Sequence, residues 1–375
     1  MKLAILCTVM KRFGLKGFYN SQEVGLGRAL SEMGHTVTVY KGVKDRAQAE
    51  TVQLNERLTV RYMWMPYFVA HGWMPTNELD RDLDGILCFS DTQIFLPHVM
   101  RFCKKHGIVF VPYVGTTFSL YVNTPRGRIM DLLFARTTLP YYRQMPMLAK
   151  TETARQELVS LGVDPGQVEI APVGLDVGVL NKDFLSADRA ALRQELGFAA
   201  DDVILCSVAR LEEDKRPLEL LELFRRVQGQ KKFRLLIVGK GQLRPQLDAK
   251  IREYGLGDTV KILERVPYEN MWKIYTAADY YLNMSRVEIF GMAIMEAVYY
   301  RCSVAAIRAM GPSITLKDMR GHCLCDSDAE IERWITGPYP TEEALAESAQ
   351  KVVEDFSWKP CAKAFIRLVE RQRAQ

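Results

Sequence analysis

The chain has 375 residues, 48% hydrophobic and 25% charged, with 50 Lys plus Arg against 45 Asp plus Glu and a net charge of +5. That balance excludes a disordered chain, a collagen-like repeat and a small disulfide scaffold. It fits about two ordinary domains, and a mildly basic surface suited to a phosphorylated ligand or an anionic membrane face rather than to nucleic acid.

No segment reaches the roughly 20 consecutive apolar residues of a membrane span. The most apolar stretch, Tyr62 to Met74, is interrupted by Pro66, His71 and Gly72. The opening MKLAILCTVM is too short for a secretory leader and lacks a small-residue cleavage site, so it reads as a buried strand. Cys7, Cys88 and Cys206 lie in apolar runs, and the spacing of the eight cysteines outlines no disulfide framework, which points to a reducing cytoplasm. His322-Cys323-Leu324-Cys325 resembles half a zinc site, but no second Cys/His pair completes it.

Strand and helix patterns then alternate. Leu3–Val9 predicts a strand, Ser21–Met33 a helix stopped by Gly34, and Thr36–Tyr40 a strand. Ile86–Phe89, a helix to about Lys105, and Ile108–Pro112 repeat the unit, followed by a strand Met147–Ala149 and a helix Glu152–Leu161. A linker is expected between Pro172 and about Ala200. A second series follows: strands at Val203–Ala209, Arg234–Val238, Val260–Leu263 and Tyr280–Met284, with helices at Leu218–Val227, Leu243–Tyr254, Asn270–Ala277 and Met292–Tyr300. Such alternation implies parallel sheets with right-handed crossovers and ligands beyond the carboxyl ends of the strands. The expectation is α/β: two Rossmann-like doubly wound domains facing across a cleft, 1–172 and 173–355, with a last helix, 356–375, returning to the first.

Three places could carry chemistry. Ser285-Arg286-Val287-Glu288-Ile289-Phe290-Gly291 runs into Met292 and Glu296. A strand end, a carboxylate, a glycine and a new helix make a place for phosphate at unpaired helix N–H groups. Glu296 sits in the apolar run Met292 to Val298, so a solvated surface position does not explain it. Second, Arg210 and Lys215 follow the strand Val203–Ala209, where two cations can neutralise a diphosphate. The competing reading is a surface salt bridge to Glu212, Glu213 or Asp214, mainly for Lys215. Third, Gly239-Lys240-Gly241 marks a tight turn after a strand and lacks P-loop spacing.

Together with Gly34-His35-Thr36-Val37, Pro172-Val173-Gly174-Leu175-Asp176 and Phe356-Ser357-Trp358, these motifs resemble the family 4 glycosyltransferases, retaining enzymes of the GT-B fold. The resemblance covers nearly the whole chain, most closely residues 203–300. It implies a nucleotide-sugar donor, with Arg210 and Lys215 on the diphosphate, Glu288 on sugar hydroxyls and Glu296 on the ribose. Phe290, Gly291, Met292 and Gly239 would line the donor site, Gly17 would approach the diphosphate from the other domain, and Arg265 would lie beside the base. Many relatives carry a histidine where this chain reads Tyr113-Val114-Gly115-Thr116-Thr117-Phe118, so Thr116 or Thr117 is the candidate acceptor-side hydroxyl. Arg301-Cys302-Ser303 also replaces the usual Gly-x-Pro.

The implied reaction is retaining transfer from a UDP-sugar, favoured over a GDP-sugar, to a sugar, lipid-linked or small-molecule acceptor. No cofactor or metal is expected. The Asp-x-Asp runs at Asp80-Arg81-Asp82 and Asp326-Ser327-Asp328 read as solvated turns. The aromatic stretch Tyr62–Phe68 with Trp73 and Met74 suits either a buried core or contact with an acceptor or the inner membrane face. A nucleotide-sugar epimerase or sugar phosphorylase of the same fold, and a non-catalytic nucleotide-sugar-binding relative, remain alternatives. A Rossmann oxidoreductase is disfavoured by the missing G-x-G-x-x-G after the first strand.

Overall fold

The structure is a computed structural model that describes residues 1–10, 16, 21–117, 124–288 and 290–374. The chain divides into two compact units, Met1–Gly178 with Ser357–Gln375, and Val179–Phe356.

The first unit runs β1 (Lys2–Cys7), α1 (Gln22–Glu32), β2 (Thr36–Val43), β3 (Glu50–Asn55), β4 (Leu58–Trp64), a small hairpin β5 (Tyr67–Phe68) and β6 (His71–Gly72), and β7 (Gly85–Phe89). It continues with α2 (Pro97–His106), β8 (Val109–Val114), α3 (Pro125–Thr137), α4 (Leu139–Tyr142), β9 (Met147–Ala149), α5 (Glu152–Ser160) and β10 (Val168–Ile170). Its eight-stranded sheet has the order β10-β9-β8-β7-β1-β2-β4-β3. All pairs are parallel except β3 with β4. Strands β1 and β7 are buried on both faces, which explains their unbroken apolar runs.

The second unit runs α6 (Arg189–Glu195), β11 (Val203–Val208), α7 (Pro217–Val227), β12 (Phe233–Val238), α8 (Arg244–Glu253), β13 (Val260–Leu263), α9 (Met271–Ala277) and β14 (Tyr280–Asn283). Then follow α10 (Met292–Tyr299), β15 (Ser303–Ile307), α11 (Met310–Thr315), β16 (Cys323–Cys325), α12 (Asp328–Thr336) and α13 (Glu342–Asp355). Its sheet, β13-β12-β11-β14-β15-β16, is parallel throughout. Leu205, Leu220, Phe224, Leu235 and Leu282 form the centre of its core.

The last helix, α14 (Lys359–Arg373), packs in the first unit, where its Val369 meets the bare backbone of Gly85. The division falls after Gly178, later in the chain than the expected 172/173 boundary. Residues 173–178 stay with the first unit because Leu175 bridges Ser357, Arg28 pairs with Asp176, and Gly174 lies flat against the Ser357–Trp358 backbone. The expected linker also contains a helix, α6, capped by Asp188. Among the described residues no helix is long and apolar enough to cross a membrane.

Within the first unit, Lys41 of β2 and Glu23 of α1 form an ion pair with both side chains fully buried. Ser21 Oγ accepts from Lys41 at 2.8 Å and donates to Glu23 at 3.1 Å. Removing one partner strands a buried charge, so Lys41→Met should cost about 3–5 kcal/mol in chemical denaturation, and adding Glu23→Leu should recover most of it. A single-variant loss below about 1 kcal/mol would show that the pair does not hold α1 on the sheet.

Candidate functional site

The site is built at the carboxyl ends of β11, β12 and β14 in the second unit. Backbone crowding shapes its floor. A Cβ on Gly239 would stand 1.8 Å from the Ala209 carbonyl oxygen, and one on Gly241 would stand 2.3 Å from that of Leu211. Ala209 and Leu211 donate to the carbonyls of Val238 and Lys240 at 3.1 and 3.0 Å. The Gly239 N–H donates to Leu263 at 2.8 Å. Gly239, expected to line the donor site, therefore acts through close backbone approach, and its amide is engaged.

The loops after β11 and β14 are stitched together. Ser285 Oγ donates to the Asp214 carbonyl at 2.8 Å, and Arg216 donates to that of Met284 at 3.2 Å. Arg216 adopts φ +53° immediately before Pro217, a strained left-handed position. That kink swings Lys215 to Glu288, 2.8 Å away. Arg210 is exposed and pairs with Glu212 and with Asp214, the latter at 3.2 Å. Glu212 and Asp214 thus compete for Arg210, while Lys215 has Glu288 as its near partner and Asp214 at 3.9 Å.

Gly291 caps α10 with φ +89°, a backbone position that favours glycine. No side chain caps the helix, so its first N–H groups carry the positive end of the dipole unshielded by a capping group. Met292 is half-buried at its first turn. Phe290 is buried and meets Phe356 edge-on at 6.3 Å. Behind it, Gly311 of α11 touches the Phe290 backbone and donates to the Glu288 carbonyl at 2.8 Å.

Glu296 lies one turn into α10 and is 6% exposed. Tyr275 and Tyr268 donate to its carboxylate at 2.8 and 3.3 Å. Burial dominates these bonds and pushes the carboxyl up to about 7. With Asn181, Tyr268, Trp272 and Tyr300 it lines a pocket of about 180 Å³. Arg265 is exposed on the loop after β13.

Sequence reasoning missed Ser285, Arg216, Gly311 and the two tyrosines. Only Arg216 carried a signal, as the residue before a proline in a short loop.

On the first unit, Thr117 donates to Glu157 through its N–H at 3.2 Å and its hydroxyl at 2.9 Å. Beside it the Gly115 N–H donates to Asp91 at 2.7 Å, and Lys150 lies 3.6 Å from the same carboxylate. Thr116 is half-buried on the same loop. Gly17 lies outside the described residues. The Asp-x-Asp runs are taken up by cations: Asp80 by Lys2 and Arg61, Asp82 by Lys2, Asp326 by Arg308 and Asp328 by Arg216. Among the described residues no group of three His, Cys, Asp or Glu side chains is placed to hold a metal.

Residues 188–363 match the family described as glycosyl transferases group 1. A D-inositol 3-phosphate glycosyltransferase of Segniliparus rotundus is 31% identical over 232 residues, 59% of this chain and 51% of that protein. The match thus spans about half the length of that relative. A glycosyltransferase of Rickettsia africae superposes with TM-score 0.69 at 15% identity, covering 99% of this chain and 98% of the other. HepE of Anabaena, solved with UDP and glucose, superposes with TM-score 0.61 at 15% identity, covering 99% and 98%.

The fold is that of the GT-B glycosyltransferases. More narrowly, the sequence likeness to glycosyl transferases group 1 lies in residues 188–363, which belong almost wholly to the second unit.

Two measurements test this geometry. Gly239→Ala should cost roughly 3 kcal/mol or more, because backbone must move; a near-neutral melting curve would refute the crowding argument. Glu296 favours its protonated form in the folded chain, so the penalty for ionising it is absent below about pH 4.5 and fully felt above about pH 7. Glu296→Gln should therefore stabilise the chain above pH 7, by about 3 kcal/mol at most, and be neutral near pH 4. Equal melting shifts at both pH values would count against a raised pKa.

Proposed function

We propose that the chain is a retaining glycosyltransferase that moves a sugar from a nucleoside-diphosphate donor to a hydroxyl acceptor. The observation that carries this reading is the meeting, in one unit, of Arg210, the Lys215–Glu288 pair, the uncapped start of α10 and buried Glu296.

In the proposed step the bond from the anomeric carbon to the diphosphate oxygen breaks, and negative charge grows on the leaving group. Arg210, Lys215 and the α10 amides stabilise that charge more in the transition state than in the ground state. The acceptor oxygen attacks from the face the diphosphate leaves, and its proton passes to the departing phosphate. Glu288 orients sugar hydroxyls, and the Glu296 carboxylate accepts from the ribose. Two cations and a helix dipole supply the neutralisation that a divalent ion would otherwise provide.

UDP-sugars come ahead of GDP-sugars because HepE, which shares the fold, was solved with UDP and glucose. The acceptor is a sugar, a lipid-linked or a small polyhydroxy molecule. Inositol phosphate is the first to try, given the name of the Segniliparus relative. Lys150 and Asp91, at the ends of β9 and β7, offer a cation and a carboxylate to such a molecule. The eight cysteines are free, which suits a reducing compartment such as the cytoplasm.

Release of nucleoside diphosphate from a panel of UDP- and GDP-sugars tests the reading. One donor should be turned over, with EDTA without effect, and Arg210→Ala or Lys215→Ala should lower the rate about 100- to 1000-fold. UDP affinity, followed by calorimetry, should fall as pH drops through 7 in the native chain and lose that dependence in Glu296→Gln. Neither turnover nor UDP binding would overturn the proposal, and a product of inverted anomeric configuration would overturn its retaining part.

A further inference from the structure

Helix α3 is apolar on two sides. Met130 and Phe134 are buried in the core of the first unit. Ile129, Leu132 and Leu133, at helical spacing on the other side, are 58%, 51% and 37% exposed. The proposed reaction assigns them no role.

This apolar ground continues beyond the helix. Leu133 borders an open pocket of about 350 Å³ together with Phe68, Trp73, Phe95 and His98. Trp73 stacks on the His98 ring at 4.0 Å and meets Phe95 edge-on at 5.6 Å, yet stays largely exposed, as does Phe68 on the β5–β6 hairpin. A contiguous exposed patch of this kind marks an interaction surface, unlike single scattered leucines.

Charge selects the occupant. Helices α2 and α3 carry six lysines and arginines against one acidic residue, Asp131. Arg101, Lys104, Lys105, Arg128 and Arg136 are exposed, and Arg136 shares the stripe of Ile129, Leu132 and Leu133. A second copy docked through a two-fold axis would set this cationic face against itself. A nucleic acid would leave the leucines and Trp73 without partners. An anionic leaflet satisfies both sets, with cations at the headgroups, Trp73 at the interface and the aliphatic side chains inserted. We propose that the outer face of α3, with the Phe68–Trp73 hairpin region, docks the chain on an anionic lipid membrane.

The proposal is independent of the donor site, and vesicle flotation of the full chain tests it. The chain should float with vesicles of phosphatidylcholine plus phosphatidylglycerol and not with phosphatidylcholine alone. Combining Leu132→Ser with Leu133→Ser should lower binding about tenfold. Arg136→Glu should lower it roughly fivefold or more and make the remaining binding less dependent on salt. Melting temperature and UDP binding of the variants should match the native chain. Should the leucine pair disturb folding, Arg136→Glu decides alone. No flotation, equal flotation with both vesicles, or variants that bind like the native chain would overturn the proposal. So would a dimer in sedimentation velocity that the same variants disperse.

Discussion

A methyl group on residue 239 would overlap the Ala209 carbonyl, and one on residue 241 would overlap that of Leu211. The loops that leave β11 and β12 can therefore lie backbone to backbone only because glycine stands at both positions. The consequence runs outward in steps. With those loops fused, the Glu213–Lys215 turn is held beneath the loop after β14 by Ser285 and Arg216. Lys215 and Glu288 meet as a result. Gly311 repeats the device on the far side, bringing α11 against Phe290 so that the start of α10 is braced from behind. No side chain at the site is placed by its own packing alone.

The charged groups differ in what it costs to rearrange them. Arg210 and its acidic neighbours are exposed, where an ion pair is worth roughly 0–1 kcal/mol and a diphosphate can replace it readily. Lys215 and Glu288 are mostly buried, and a ligand that takes the lysine must offer the glutamate a donor in return. Sugar hydroxyls are such donors. Glu296 is the costly group, a carboxyl taken out of water and only partly repaid by two tyrosine hydroxyls. In the proposed function ribose hydroxyls would add to the bonds that favour its ionised form, so that donor binding and ionisation of Glu296 would reinforce each other.

The fold was legible where an element carries a continuous apolar or regularly spaced run. Met147–Ala149 and Val260–Leu263 lie where the apolar runs put them, and most other elements differ by a residue or two at their ends. What escaped had a physical reason. β3 is an edge strand whose residues, ETVQLN, are mostly exposed, so no apolar alternation announces it. Its partner β4 interleaves Thr59, Arg61 and Tyr62 with Leu58, Val60 and Met63 and is only half-buried over most of its length. α3 was hidden by the opposite fault: apolar residues on two faces cancel the 3.6-residue period on which recognition rests. The Tyr62–Met74 stretch resolved into both of its readings at once, with Met65 and Met74 in the core and Tyr67, Phe68 and Trp73 at the surface.

Residue types marked the side chains that gather beyond β11 and β14, while their pairing depended on geometry that spacing does not encode. From spacing, Lys215 sits next to three acids and Arg210 stands apart. In the fold Arg210 takes Glu212 and Asp214, and Lys215, just before the left-handed Arg216, has Glu288 at 2.8 Å and Asp214 at 3.9 Å. Strain of this kind is invisible to propensity, because propensity disfavours it; the Arg216 side chain is held by the carbonyl of Met284 and the carboxylates of Glu219 and Asp328. The buried carboxyl at 296 is the converse case. An acid inside an apolar helical run breaks the pattern, and that violation marked a buried carboxyl, which persists only where something supplies it with donors. The two tyrosines that do so come from the turn before α9 and from α9 itself, and no local motif ties them to α10. A single sequence displays the expensive residue, while the groups that make it affordable are distributed through the fold.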